Sequence, residues 1–153
     1  MNLEKQIDVI EMLARHEEAI KELYKAYAEK FPNDKEFWLV LSQEESGHAN
    51  LIHTLHAKLK DGSVSFDEDR FRVGAIGTSL NYVQRQTVEA KEKQVSVINA
   101  LVTALDIEKA MIEKEFFTVF EVDSVELKNV LSELKNDTKS HRDKIEKALA
   151  EHR

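Results

Sequence analysis

The chain has 153 residues, a formal net charge of −7 and no cysteine, and its length suits one domain with its own core. The missing cysteines exclude disulfides, thiolate metal sites and cysteine nucleophiles, and the negative charge argues against nucleic acid as a partner because phosphates would be repelled. No apolar run approaches the roughly 18–20 residues of a membrane span, and residues 1–5 lack the basic and apolar regions of a signal peptide, so we expect a cytoplasmic protein without membrane contact.

The first part of the chain predicts two long helices joined by a tight turn. Apolar residues recur at helical spacing over about residues 3–30 and again over about residues 35–60. Pro32 separates the two segments, because the residue before a proline is displaced from helical geometry. Asp61 and Gly62 are typical of a helix end and mark the end of the second segment.

The middle of the chain predicts a long crossover connection over residues 61–95. Residues 62–72 lack a regular apolar pattern and are expected to be irregular. About residues 73–93 show a shorter helical pattern, so the connection is expected to carry one short helix of its own.

The last part of the chain predicts two more long helices. Ser96 is an expected N-cap for a helix over about residues 96–121, and residues 123–124 form an expected turn before a helix over about residues 125–150. The fold class is therefore all-α, a single domain over residues 1–153. Four long helices with one long crossover are the connectivity of ferritin-like bundles.

Polar side chains interrupt the apolar stripe of each main helix near its middle. In the first helix, for example, Glu17 occupies an apolar position between Leu13 and Ile20. The residues predicted to face inward in this way are Glu17, Glu45, His48, Glu108 and His141, with either Asp137 or Thr138 beside the last of them.

Carboxylates and imidazoles in a core predict bound metal. A buried carboxylate is costly unless it is paired or bound to a cation, and several together repel one another. Ferritin-like di-iron proteins draw one Glu from each of two helices and a Glu-x-x-His motif from each of the other two. Here Glu17 and Glu108 provide the single carboxylates, and Glu45 with His48 forms a complete motif whose members share one helix face.

The last helix departs from this pattern. Thr138 stands where the second Glu-x-x-His motif would have its Glu, three residues before His141. Asp137 lies four residues before the same histidine and still shares its face, but its side chain is one methylene shorter than that of Glu. This half of the site is expected to bind metal more weakly, or to leave room for only one ion.

Several of these residues also have a structural interpretation. Glu17 can be a surface residue beside another Glu, and Glu44 can face inward in place of its neighbour, although it lacks the i, i+3 relation to the histidine. Glu115 falls on the inward face and is either a further ligand or, as we favour, the solvent end of the bundle. No ligand role is predicted for His16, His53, His56 or His152, of which His53 and His56 are expected at the surface.

Taken in order, these elements resemble the rubrerythrin branch of the ferritin-like superfamily over nearly the whole chain. The matching elements are Glu17 with Tyr24 seven residues later, the run Gln-Glu-Glu-Ser-Gly-His-Ala at residues 43–49, Ala-Leu-Asp-Ile-Glu at residues 104–108, and His141 in the last helix.

The resemblance implies two iron ions that handle peroxide or dioxygen, and a hydrogen bond from Tyr24 to a ligand carboxylate. It implies a separate electron-donor protein, because rubrerythrins often carry a four-cysteine rubredoxin domain that is missing from these residues, and it is compatible with a homodimer. The ligand types also suit manganese or zinc. The implied ligands are Glu17, Glu45 and His48 for one ion, and Glu45, Glu108, His141 and Asp137 for the other.

Three functions remain open at this point. The first is a metal-dependent oxidoreductase acting on peroxide or dioxygen, whose catalytic residues the sequence does not identify. The second is iron binding or storage without turnover, for which a storage cage would need a closed shell of many chains. The third is a structural or interaction bundle with a degenerate metal site, which Thr138 motivates.

Overall fold

The computed structural model describes residues 3–66, 73–114, 120–122 and 125–152. In these ranges the chain forms five α-helices, a short 3-10 turn and one pair of short antiparallel strands. In chain order the elements are α1 (Leu3–Lys30), the 3-10 turn (Pro32–Asp34), α2 (Lys35–Lys60), β1 (Val64–Phe66), α3 (Val73–Glu92), α4 (Val97–Glu113), β2 (Phe120–Val122) and α5 (Val125–His152).

Helices α1 and α2 begin and end within a residue of their predicted bounds. Pro32 opens the 3-10 turn directly after α1, where its fixed φ fits a first helical position. Helix α2 ends at Lys60, and Gly62 has a positive φ of 83°, a backbone conformation that glycine adopts without strain.

Helix α4 differs from its prediction at one end only. The Ser96 side chain accepts a hydrogen bond from the Asn99 backbone N–H at 3.1 Å, as expected of an N-cap. The helix nevertheless ends at Glu113 and does not continue to residue 121. Residues 116–122, Phe-Phe-Thr-Val-Phe-Glu-Val, are rich in the aromatic and β-branched residues that favour strands, which accounts for the early end.

The strand pair is a feature that the sequence did not predict. Val64 is opposite Val122, and Phe66 is opposite Phe120. The pairing ties the start of the crossover to the segment after α4, so the expectation of an irregular stretch at residues 62–72 is wrong for residues 64–66. Residues 67–72, 115–119 and 123–124 lie outside the described residues, and with them the predicted turn and the position of Glu115.

The helices pack as two antiparallel pairs with the crossover helix on one side. Helix α1 packs against α2 and also against α3, while α4 packs against α5. Helix α3 buries Ile76, Val83 and Ala90, spaced by seven residues, along one stripe. The Lys30 Nζ donates hydrogen bonds to the Ala90 and Lys93 carbonyls at 2.9 and 2.8 Å, fixing the end of α3 to the end of α1.

The core runs along the seam between the two pairs. At one end Trp38 is fully buried, with ring centroids 4.8 Å from Tyr27, 5.6 Å from Tyr24 and 5.1 Å from Phe37. Such aromatic packing removes a large apolar area from water. None of the helices in the described ranges combines the length and apolar character needed to cross a lipid bilayer.

Candidate metal centre

The five residues predicted to face inward lie together between the two helix pairs. Helix α1 positions Glu17, α2 positions Glu45 and His48, α4 positions Glu108, and α5 positions His141. Each is buried, with a relative exposure of 4% or less. In the described part of the chain the buried carboxylates are Glu17, Glu45 and Glu108.

One half of the cluster is formed by the α1–α2 pair. The Nδ1 atom of His48 lies 3.4 Å from Glu45 Oε2 and 3.9 Å from Glu17 Oε2. These distances are long for hydrogen bonds, so the contacts are mainly electrostatic. The three side chains offer one ligand atom each, all within 4.8 Å of one another, which is close enough to coordinate a single ion.

The other half joins α2 to the α4–α5 pair. The Nδ1 atom of His141 lies 3.1 Å from Glu45 Oε1 and 3.5 Å from Glu108 Oε1. Glu45, Glu108 and His141 form a second group that could hold an ion by the same distance criterion. Glu45 belongs to both groups and offers a different oxygen to each imidazole, so it connects the two groups.

The outer nitrogen of each imidazole faces a carboxylate from the opposite helix pair, as a hydrogen bond for His48 and at ion-pair distance for His141. His48 Nε2 lies 3.3 Å from Asp137 Oδ2, and His141 Nε2 lies 3.4 Å from Glu44 Oε2. These carboxylates are 43% and 39% exposed, and Glu44 also pairs with Lys144 at 3.3 Å. An imidazole that contacts a carboxylate through one nitrogen presents its other nitrogen in a fixed direction.

The position of Asp137 corrects its predicted role. It was expected beside His141 as a ligand of the second ion, whereas it contacts the far side of His48 and belongs to neither ligand group among the described residues. The reason is helix phase: Thr138 is the buried neighbour, with 2% exposure, and Asp137 is rotated toward the rim. The Thr138 hydroxyl donates a hydrogen bond to the Leu134 carbonyl at 2.9 Å.

Tyr24 contacts the cluster from the α1 side. Its hydroxyl donates a hydrogen bond to Glu108 Oε1 at 2.8 Å, and both side chains are fully buried. Burial, together with the nearby Glu108 carboxylate, raises the pKa of Tyr24 well above its usual value, so the phenol stays protonated and remains a donor.

The cluster strongly perturbs the pKa values of its members. Burial and the neighbouring Glu45 carboxylate raise the pKa of Glu17 to about 8. Burial alone would lower the pKa of both histidines, but the adjacent carboxylates outweigh it and raise the pKa of His48 to about 11 and that of His141 to about 10. Burial opposes ionisation of Glu45 too, yet its contacts with Glu17 and the two imidazoles lower its pKa.

Only some polar atoms of the cluster have hydrogen-bond partners: Glu108 Oε1 accepts from Tyr24, and Glu45 Oε1 is hydrogen-bonded to His141 Nδ1. Within the described residues, no hydrogen-bond partner is found for five of its buried atoms. Unsatisfied buried polar atoms are uncommon in folded proteins and require an explanation such as a bound ion. The atoms are Glu17 Oε2, Glu45 Oε2, His48 Nδ1, Glu108 Oε2 and His141 Nε2. Three of them are carboxylate oxygens, and His48 Nδ1 is an imidazole nitrogen that faces the cluster. Carboxylate oxygens with imidazole nitrogens suit divalent transition metals.

Sequence reasoning also missed the positions of two other residues, Glu44 and His16. Glu44 was considered as an inward alternative to Glu45, but it lies against the outer nitrogen of His141. Its position could have indicated this, because Glu44 and Asp137 both stand four residues before a histidine of the cluster. His16 was given no role, yet it is fully buried against α3, with Nε2 2.7 Å from Ser79 Oγ.

The expected surface histidines differ from one another. His53 is exposed and pairs with Glu18 at 3.2 Å, whereas His56 is only half-buried. Glu18 is exposed while Glu17 is buried, so the surface interpretation of Glu17 is wrong.

Comparison of the chain with protein-family models, with curated proteins and with solved structures finds no match. The case for a metal centre therefore depends on the chain's own residues and geometry.

Proposed function

We propose that this chain is a ferritin-like protein of rubrerythrin type that binds two iron ions between its helix pairs and reduces peroxide or dioxygen. The observation that carries the proposal is the buried cluster of three carboxylates and two imidazoles, in which one oxygen of each carboxylate and His48 Nδ1 lack hydrogen-bond partners among the described residues. Without a cation, this arrangement leaves charges and lone pairs in the core at a large cost in free energy.

The residues would divide between the two ions as the geometry groups them. Glu17 and His48 would bind one ion, Glu108 and His141 the other, and Glu45 would bridge them. Ferrous iron, when bound, would supply the electrons for reduction of an oxygen substrate; manganese or zinc would also suit these ligands.

The surrounding side chains have positioning roles in this proposal. The outer carboxylates of Asp137 and Glu44 would keep each imidazole Nδ1 directed at the ions. The Tyr24 hydroxyl would fix Glu108. Packing of Trp38 against Tyr24 would exclude water from the adjacent core.

Ferrous loading under anaerobic conditions, followed by desalting, elemental analysis and thermal unfolding, tests the metal part of the proposal. We expect two iron ions per chain and a higher melting temperature, because an ion present at 100 times its dissociation constant stabilises the folded state by about 2.7 kcal/mol. Less than one metal per chain after loading would contradict it.

Matched variants separate the centre from adventitious binding. Glu45→Ala, which affects both ligand groups, should abolish the metal content and the melting-temperature shift, and His48→Ala should remove the ion of the first group. Glu18→Ala and His53→Ala remove an exposed Glu–His pair from the same two helices and should leave both unchanged. If all four variants bind iron like the wild type, the buried cluster is not the site.

The second candidate function is a structural or interaction bundle whose metal centre does no chemistry. Thr138, in place of a fourth carboxylate, favours it, because fewer charged ligands are available for cycling between oxidation states. Rapid mixing of the iron-loaded protein with hydrogen peroxide distinguishes the two. Oxidation of the bound iron, followed by its recovery with a chemical reductant, supports turnover, while unchanged ferrous iron supports the structural function.

A further inference from the structure

The two helix pairs carry the same polar pattern with the same spacing. The first helix of each pair contributes one Glu. The second helix contributes two consecutive residues, of which the first is acidic, and a His three positions after the second of them, which we call the middle residue. The corresponding residues are Glu17 and Glu108, Glu44 and Asp137, Glu45 and Thr138, and His48 and His141.

The correspondence also holds in space. Asp137 contacts the outer nitrogen of His48, and Glu44 contacts the outer nitrogen of His141, at nearly equal distances of 3.3 and 3.4 Å. In each pair, the acidic residue before the middle residue therefore contacts the histidine of the other pair. Thr138 is therefore the counterpart of Glu45, and it is where the equivalence of the two halves is broken.

The difference at Thr138 leaves the centre one carboxylate short. Thr138 is buried on the face of α5 that carries His141, and its hydroxyl proton is donated to the Leu134 carbonyl. A neutral hydroxyl contributes no charge toward a cation. Glu45 must therefore serve both ligand groups, and an ion bound in the first group competes for it with an ion in the second.

Charge counting shows the consequence for the second ion. The buried carboxylates of the described residues, Glu17, Glu45 and Glu108, carry three negative charges when all are ionised to bind metal. One divalent ion leaves an excess of one negative charge, and a second leaves an excess of one positive charge. An excess charge among buried groups is costly. The Asp137 and Glu44 carboxylates beyond the imidazoles are 43% and 39% exposed, so solvent screens much of their charge. A carboxylate at position 138 would make the buried part of the two-ion state neutral.

We infer that the second divalent ion binds together with a small monoanion that has an oxygen donor, such as a short carboxylate, placed where Thr138 lacks a side-chain carboxylate. The inference rests on the proposed metal function and specifies its ligand class. The first ion, held by Glu17, Glu45 and His48, needs no such anion. The second ion, held by Glu45, Glu108 and His141, takes the anion as its missing ligand.

Calorimetric titration with zinc tests this without any turnover. Wild-type protein is titrated at fixed pH and ionic strength in sodium formate and, in parallel, in sodium perchlorate, whose anion coordinates poorly. The first binding step should be the same in both. The second should tighten in formate by about tenfold when formate is present at ten times its own dissociation constant. Glu45→Ala gives the background from zinc bound by exposed histidines.

Variants at one position decide whether Thr138 is the determinant. Thr138→Glu should bind the second zinc ion tightly in perchlorate and lose the formate effect, because its own carboxylate replaces the anion. Thr138→Val keeps the shape and should retain the formate effect. If Thr138→Glu does not fold, the wild-type comparison of the two salts still decides.

The inference would be overturned, with a metal centre still in place, if the second zinc step had the same affinity in formate as in perchlorate. It would also be overturned if only one zinc ion bound in both salts. A formate effect that persists in folded Thr138→Glu would also overturn it. The absence of any zinc beyond the Glu45→Ala background would instead contradict the proposed metal function itself, so the two failures can be told apart.

Discussion

Metal binding should release protons in a number fixed by the cluster. Near neutral pH the raised pKa values keep Glu17, His48 and His141 protonated, and metal ligands must be deprotonated. The first ion, in the group with Glu17 and His48, should therefore displace about two protons at pH 7, and the second, in the group with His141, about one.

The proton count sets the pH dependence of affinity. The logarithm of the first binding constant should rise by about two per pH unit below pH 8, where both groups are protonated, and by about one above pH 8, once Glu17 has ionised. Two protons per ion correspond to about 2.7 kcal/mol of binding free energy per pH unit. The second binding constant should rise by about one logarithmic unit per pH unit near neutral pH, where His141 is protonated.

The protons can be counted by calorimetry with zinc in buffers of different ionisation enthalpy. Glu17→Gln cannot release a proton from that position, so its first step should release about one proton instead of two. His53→Ala, which changes an exposed histidine, should match the wild type. A first ion that binds at pH 7 with release of less than one proton would refute the pKa reasoning.

Three further predictions concern stability, the first of them that of the protein without metal. Its urea midpoint should fall as pH rises from 6.5 toward 11, because the raised pKa of His48 gives stability that is complete below its unfolded value of 6.5 and is lost through about 11; a midpoint that rises over this range contradicts this. Tyr24→Phe should lower the free energy of unfolding by about 1–3 kcal/mol, because the buried Glu108 carboxylate loses the hydrogen bond that Tyr24 donates at 2.8 Å. In calorimetry the same substitution should weaken the second zinc step more than the first, and equal weakening of both steps would show that Tyr24 does not act on the second group. Trp38→Ala should cost about 3–5 kcal/mol through a core cavity, measured by urea unfolding, and a loss below 1 kcal/mol would show that this end of the core is loosely packed.

Local sequence signals were sufficient for most of the helices and for the inward-facing acidic and imidazole side chains. Glu17, Glu45 and Glu108 were predicted to be buried because each interrupts an apolar stripe, and helix periodicity is a local property. The apolar stripe of α4 is less clear-cut: Leu105 and Ile112, three residues before and four after Glu108, are half-buried, while Ile107 and Met111 are buried. A stripe read from sequence is uncertain by about one residue of rotation, since neighbouring positions differ by about 100° around the helix.

Other features depended on contacts between residues far apart in the chain. The pairing of Val64 with Val122 leaves no local periodic signal, because a strand of three residues acquires its partner only when the crossover and the end of α4 meet. The length of α4 was overestimated for a local reason, because its helical pattern was extended into the strand-favouring residues 116–122.

The sequence by itself determined that the chain would form helices and place acidic and imidazole groups in a core, because both follow from spacing along a single helix. The tertiary structure decided how those groups are connected. It placed Glu45 in contact with both imidazoles, and it placed Asp137 at the outer nitrogen of His48 and not in the expected second ligand group. It also buried Thr138 at the position in α5 that corresponds to Glu45 in α2. These relations depend on the phase and separation of α2 and α5 across the seam, which no pattern within one helix can specify.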